Sequence, residues 1–118
     1  MLRVLASESL ADVHSLGVFP KDLFVPSLNF VFGVAQRGHN AVIATARLSS
    51  EFYGMRSDDE LLFERAAKEA VHELGHVFGL DHCSNVCVMR FSNSLPETDT
   101  KPATFCDACV SELSHAHR

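Results

Sequence analysis

The feature that most constrains the fold is the segment His-Glu-Leu-Gly-His-Val-Phe-Gly-Leu-Asp-His at residues 72–82. Residues four apart lie on one face of an α-helix, so His72 and His76 can direct both imidazoles at one metal ion. Gly79 predicts the end of this helix, because glycine adopts positive φ angles without steric cost. A sharp turn at that point would bring His82 back towards the same ion.

Three histidines with an open fourth position are a ligand set typical of catalytic zinc. Glu73 lies beside the metal-facing side of the helix, close enough to bond a metal-bound water but not placed as a third ligand. The pattern therefore predicts zinc at His72, His76 and His82, with Glu73 as general base. A pair of histidines at helical spacing also occurs by chance, and the helix followed by a glycine break is the context that favours the metal site.

Four cysteines follow in two close pairs, Cys83 with Cys87 and Cys106 with Cys109. This spacing suits one zinc ion held by four thiolates, a structural site because no position stays open. Such a site would tie the loop after His82 to the C-terminal helix. Two disulfides are the alternative, although disulfides are rare in a reducing compartment. A redox pair at Cys106 and Cys109 is disfavoured, because no thioredoxin-like pattern surrounds it.

A long helix is predicted to carry the histidines. Ser57 and Glu60 have the spacing of a capping box, and residues 58–78 are rich in Leu, Ala, Glu and Lys. The apolar positions that would pack on a sheet share helical spacing. They are Val71, Leu74, Val77 and Phe78.

The other segments predict a small mixed sheet. A short helix is expected over residues 2–14, and one bent strand or two short strands over 22–35. A turn at 36–40 leads to a strand over 41–48, which would pair antiparallel with the strand before it. Irregular chain and a short final helix over 105–115 complete the chain. The predicted fold is α/β, a small mixed sheet packed on a long active-site helix with a zinc-organised C-terminal part.

The composition predicts one globular domain over residues 1–118, because 118 residues can form one hydrophobic core but not two. The net charge of -5 argues against nucleic acid or an anionic membrane as partner, since both require a basic patch. Glu8 and Asp12 interrupt any signal-peptide apolar region, and the longest apolar stretches are too short to span a bilayer. A cytoplasmic location is therefore expected.

The pattern resembles the signature of the metzincin peptidases, HExxHxxGxxH followed by a turn that contains methionine. His82-Cys83, Cys87-Val88-Met89 and Phe105-Cys106-Asp107-Ala108-Cys109 narrow this resemblance to the archaemetzincin family. Segments 22–26, 28–33 and 92–95 are similar to the same family, and the resemblance covers about residues 16–109. The gaps from Cys83 to Cys87 and from Met89 to Cys106 are each shorter by one residue than in the family pattern.

The resemblance implies a zinc-dependent peptidase with a metzincin-like fold. It implies that Met89 is the methionine of the turn, an apolar floor below the histidines, whereas an ordinary core methionine is the alternative. Some metzincins place a tyrosine after this methionine to stabilise the transition state, but Arg90, Phe91 and Ser92 follow here. The short N-terminal part leads us to expect that an opening strand and helix of the fold are missing or reduced.

The expected reaction is hydrolysis of a peptide bond by a zinc-bound water, with Glu73 taking the proton and passing it to the leaving amine. An extended peptide is expected to add as an antiparallel strand near Ala44 to Leu48. Ser92 to Leu95 are expected to wall the adjoining pocket. The alternative function is a catalytically silent, zinc-stabilised peptide-binding module. The sequence leaves open endopeptidase or aminopeptidase activity, the natural substrate and the oligomeric state.

Overall fold

The computed structural model describes residues 14–22 and 31–116, which contain a three-stranded sheet and three α-helices. The strands are Leu16–Phe19 (β1), Gly33–Ala35 (β2) and Ala41–Ala44 (β3). β3 lies in the centre and pairs parallel with β1 and antiparallel with β2. The mixed sheet is confirmed. The helix expected over residues 2–14, apart from His14, and residues 23–30 of the expected bent strand lie outside the described residues.

The predicted β2–β3 hairpin is also confirmed, with its turn at residues 36–40. Gln36 N donates to Asn40 O at 2.9 Å, and Gly38 has a φ of 74°. The strand expected over residues 41–48 is shorter than predicted, because 3₁₀ turns occupy Ala46–Leu48 and Ser50–Tyr53. Leu48 N donates a hydrogen bond to Thr45 O at 3.0 Å. This bond closes a turn, so the chain does not continue as a strand here.

Helix α1, Asp59–Val77, packs on β2 and β3. Its N-cap is Asp58, whose carboxylate accepts a hydrogen bond from Leu61 N at 3.0 Å. The capping box predicted at Ser57 was wrong by one residue, because Asp58 and not Ser57 is the N-cap residue. Gly79, with a φ of 100°, follows the helix end as predicted.

The apolar positions predicted for α1 divide between two surroundings. Val77 is buried, whereas Val71 packs against a core cluster beyond the helix. Phe78 remains 37% exposed and meets the ring of His14 edge-on. The core cluster contains Leu80, Cys87, Val88, Met89 and Cys109.

Two shorter helices lie in the C-terminal part. Helix α2, Leu95–Thr100, falls in a stretch predicted to be irregular. Pro96 lies in the first turn of this helix, where proline is tolerated because its missing N–H has no helical partner to lose. Helix α3, Asp107–Ala116, agrees with the short final helix. Of the helices in the described residues, none is long and apolar enough to cross a membrane.

Candidate active site and metal centres

The three histidines meet beside the C-terminal half of α1. The Nε2 atoms of His72 and His76 lie 3.2 Å apart, and the ring centroid of His82 is 5.3 Å from that of His72 and 4.8 Å from that of His76. Two nitrogens bound tetrahedrally to zinc would lie about 3.3 Å apart, so this spacing fits the ion. One ligand atom from each histidine lies within 4.8 Å of the others.

Backbone carbonyls orient two of these rings. His72 Nδ1 lies 2.8 Å from Val88 O, and His76 Nδ1 lies 2.8 Å from Leu80 O. A carbonyl oxygen only accepts, so each Nδ1 carries the proton and each Nε2 keeps a lone pair for a metal. Burial lowers the pKa of His72 to about 3 and also lowers the pKa of His82. The neutral imidazoles that a metal requires are therefore favoured.

Glu73 lies beside the histidines, between α1 and β2. Its Oε1 is 3.9 Å from His72 Nε2, and its side chain is 7% exposed. Burial raises the pKa of Glu73 to about 8; the charge of Glu69 acts in the same direction, whereas Lys101 opposes it. A carboxyl group held at this place can exchange a proton with a molecule bound at the histidines.

A cleft of about 260 Å³ borders the three histidines and Glu73. One wall is the chain from Val31 to Ala35, which includes β2, and the other is Phe91, Ser92 and Asn93. The peptide-binding edge predicted at Ala44 to Leu48 was wrong, because β3 is the central strand and the chain then turns into 3₁₀ structure. The edge strand at the cleft is β2. Of the predicted pocket wall, Ser92 and Asn93 line the cleft, whereas Ser94 is the N-cap residue of α2 and Leu95 its first residue.

Met89 lies against α1 in the buried core. A Cβ atom at Gly75 would come within 2.3 Å of its Sδ, so the thioether packs directly on the helix backbone between His72 and His76. Val88 and Met89 are fully buried. The turn that holds Met89 therefore also supplies the carbonyl of Val88 to His72.

A buried ion pair beside the cleft was missed by sequence reasoning. Lys101 Nζ lies 3.3 Å from Glu69 Oε1 and donates to Arg90 O at 3.0 Å, and the two side chains are 2% and 4% exposed. Lys101 Nζ is also 3.4 Å from His72 Nδ1, but this nitrogen already donates to Val88 O, so the contact adds no hydrogen bond. Glu69 lies one helical turn before Glu73, and this spacing could have indicated from the sequence that Glu69 is near the site. No comparable sequence pattern surrounds Lys101.

The four cysteines also converge. Cys83 Sγ lies 3.8 Å from Cys106 Sγ, and Cys87 Sγ lies 3.7 Å from Cys109 Sγ. Sulfur atoms arranged tetrahedrally around zinc at about 2.3 Å would lie about 3.8 Å apart. All four cysteines are free thiols, so the structure contains neither of the alternative disulfides.

Backbone and amide donors surround two of the sulfurs. Met89 N and Cys106 N donate to Cys87 Sγ at 3.4 and 3.3 Å. The side-chain amide of Asn85 donates to Cys106 Sγ at 3.6 Å and is the main cause that lowers the pKa of Cys106 to about 6. N–H donors favour the thiolate over the thiol, and the thiolate is the form that binds metal.

The sequence profile of Peptidase family M54 matches residues 6–115. The chain belongs to this family. It is 52% identical over 101 residues to the archaemetzincin of Thermococcus kodakarensis and 50% identical over 102 residues to that of Archaeoglobus fulgidus. These matches cover 84% and 86% of this chain but only 54% and 60% of the relatives, so the chain spans little more than half their length. The archaemetzincin resemblance is confirmed.

Solved archaemetzincin structures share the fold. The crystal structure of archaemetzincin from Methanopyrus kandleri has a TM-score of 0.85 and 44% identity, covering 98% of this chain and 62% of that one. A zinc-dependent peptidase from Methanocorpusculum labreanum has a TM-score of 0.81 and 44% identity, covering 83% of this chain and 52% of that chain. The small metzincin-like α/β fold is thus confirmed for this M54 family member.

Proposed function

We propose that residues 1–118 form one metallopeptidase domain that hydrolyses peptide bonds. The observation that carries this proposal is the convergence of three oriented imidazoles beside a buried carboxyl group, at a cleft bordered by a strand edge. The names of the relatives, archaemetzincin and zinc-dependent peptidase, support the same activity.

Two zinc ions are proposed. His72, His76 and His82 would hold the catalytic ion, and the cysteine cluster would hold the structural ion. Zinc bound by three histidines with an open position lowers the pKa of water to about 7 and polarises a carbonyl group. The structural ion would be held by Cys83, Cys87, Cys106 and Cys109.

Glu73 is the proposed general base. It stands beside the histidines and not among them, which leaves its carboxylate available to take a proton from the attacking water and deliver it to the leaving amine. The low exposure of Glu73 keeps competing solvent away from this proton. The residue therefore acts by proton transfer, and metal binding does not depend on it.

The proposed substrate is a peptide in extended conformation. β2 pairs with β3 on one side, and its other edge borders the cleft, where a peptide can form main-chain hydrogen bonds as an added strand. Phe91 to Asn93 would face the peptide from the opposite wall. A cytoplasmic location is proposed too, supported by four cysteines that are not joined by disulfides, since disulfides are rare in a reducing compartment.

The test is a broad peptide-cleavage screen with the wild type and Glu73→Ala, combined with metal counting. The variant should keep both zinc ions and lose about a hundred- to ten-thousand-fold in rate. Glu64→Ala is the matched control, because Glu64 is an exposed carboxylate on the same helix. Loss of the histidine-bound zinc in Glu73→Ala, or unchanged cleavage, contradicts the base assignment. A wild type that binds peptides without cleaving any favours the silent binding module.

A further inference from the structure

Ser92 carries a buried hydroxyl group without a hydrogen-bond partner in the described part of the chain. A buried polar atom left unpaired costs free energy, so each one calls for a physical explanation. Ser92 is also the residue that brings a hydroxyl group to the lining of the cleft described above. An unpaired donor at the wall of a candidate active site is therefore the feature to explain.

The neighbours of Ser92 are already engaged. The ring of Phe91 packs on that of His82 with 5.2 Å between centroids. On the other side, Asn93 N donates to Glu97 Oε2 at 3.5 Å and Ser94 Oγ donates to Glu97 Oε1 at 3.2 Å. These contacts hold the residues on both sides of Ser92, whereas its own hydroxyl has no partner among the described residues.

The strand edge across the cleft suggests what this hydroxyl meets. Carbonyl oxygens of an extended chain point alternately to its two sides, so a peptide paired with β2 presents its other carbonyls to the opposite wall. That wall is Phe91 to Asn93. Rotation of Ser92 about its Cα–Cβ bond, between staggered positions, is the movement that turns Oγ to such a carbonyl.

The one tyrosine of the sequence does not supply this donor. Tyr53 donates its hydroxyl to Arg47 O at 2.7 Å and is absent from the residues that line the cleft. We propose that Ser92 is a substrate-binding residue that donates a hydrogen bond to a carbonyl oxygen of a peptide bound against β2. This inference rests on the proposed peptidase function and adds a residue that positions the substrate.

The test compares Ser92→Ala with the matched control Ser94→Ala in the zinc-loaded protein. Calorimetric titration with an N-acylated dipeptide hydroxamate measures binding of a ligand that carries both a metal-binding group and peptide carbonyls. Ser92→Ala should weaken this binding about tenfold, the value of one hydrogen bond. Acetohydroxamate, which has no peptide carbonyl, should bind equally well to both variants and to the wild type.

Thermal unfolding separates substrate binding from a merely structural role. Ser92→Ala should leave the melting temperature unchanged or higher, because it removes a hydroxyl that has no hydrogen-bond partner among the described residues. Ser94→Ala should lower the melting temperature, because it breaks the bond to Glu97, and should leave hydroxamate binding unchanged. A melting temperature lowered by Ser92→Ala with unchanged binding overturns the inference.

Cleavage assays separate this inference from the proposed function. If the wild type cleaves peptides and Ser92→Ala is equally active, the peptidase function is supported and the role of Ser92 is overturned. Binding of the dipeptide hydroxamate that depends on Ser92, without cleavage of any peptide, supports the inference and contradicts the peptidase function. Failure of the wild type to bind the dipeptide hydroxamate overturns the inference.

Discussion

Glu73 packs directly on the backbone of Gly33. A Cβ atom built at Gly33 would lie 2.6 Å from Cγ and 3.0 Å from Cδ of Glu73, and 3.0 Å from the carbonyl oxygen of Val42. The proposed general base on α1 thus touches the strand β2 that forms the cleft edge. The positions of the carboxyl group and of the substrate-binding edge depend on the same contact.

Replacing Gly33 by alanine should disturb this contact without removing a metal ligand. The added methyl group must displace the Glu73 side chain or separate β2 from α1, and overpacking of this kind costs about 1–3 kcal/mol. We expect a lower free energy of unfolding, a loss of more than about tenfold in kcat/KM, since small displacements of a catalytic group are costly, and unchanged zinc content. Val18→Ala, at an exposed position of β1, is the control. A Gly33→Ala variant with wild-type kcat/KM would show that this contact does not position Glu73 for catalysis.

The purified protein should contain two zinc ions per chain. X-ray absorption should show nitrogen neighbours at about 2.0 Å and sulfur neighbours at about 2.3 Å, the latter from the cysteine cluster. The spacing of 3.7 and 3.8 Å between paired sulfurs is the physical reason for this expectation. Absence of a sulfur shell, or two disulfides in mass spectrometry, would disprove the structural zinc.

Cys106→Ser should destabilise the protein more than His82→Ala. A closed thiolate site contributes its binding energy to folding, and the serine opens that site. His82→Ala leaves His72 and His76 in place on α1, and the cysteines still hold the loop at residue 82. Thermal unfolding of both variants with zinc present measures the difference. The opposite order of melting temperatures would reverse the assignment of structural and catalytic ions.

Lys101→Met should lower the free energy of unfolding by about 3 kcal/mol, because it leaves the buried carboxylate of Glu69 without its cation. Denaturant unfolding measures this loss. The double variant Lys101→Met/Glu69→Gln should recover part of it, since the glutamine carries no charge and can still accept from Thr98. Lys68→Met is the control, because among the described residues Lys68 donates to the carbonyls of Thr98 and Asp99 and acts on Glu69 through its charge, without a hydrogen bond to it. Equal losses for the two lysine variants would show that the ion pair contributes little.

The parts of the site that sequence could predict are local. His72 and His76 share a helix face through their spacing, and Gly79 supplies the turn that returns the chain to His82. The cysteines form two close pairs, so their grouping is visible before any fold is known. In each case a short distance along the chain carries most of the geometry.

The order of the strands could not be predicted, because an apolar run reveals a strand but not which neighbours it pairs with. For this reason β3 was expected at the edge, although β1 pairs on its other side. The ion pair of Glu69 and Lys101 joins residues far apart in sequence, and a single lysine ordinarily indicates an exposed position. Helix α2 was missed because Pro96 indicates a loop unless it falls in a first turn.

Helix α1 places Glu69, His72, Glu73 and His76 in register along one stretch. Inserting one residue among them would rotate all that follows by about 100° and carry the later side chains out of the cleft. The exposed residues Ser84 to Val86 lie in a loop, where an inserted residue rotates no helix face. In descendants of this chain, insertions and deletions should therefore accumulate in the loops, while α1 accepts substitutions but keeps its length.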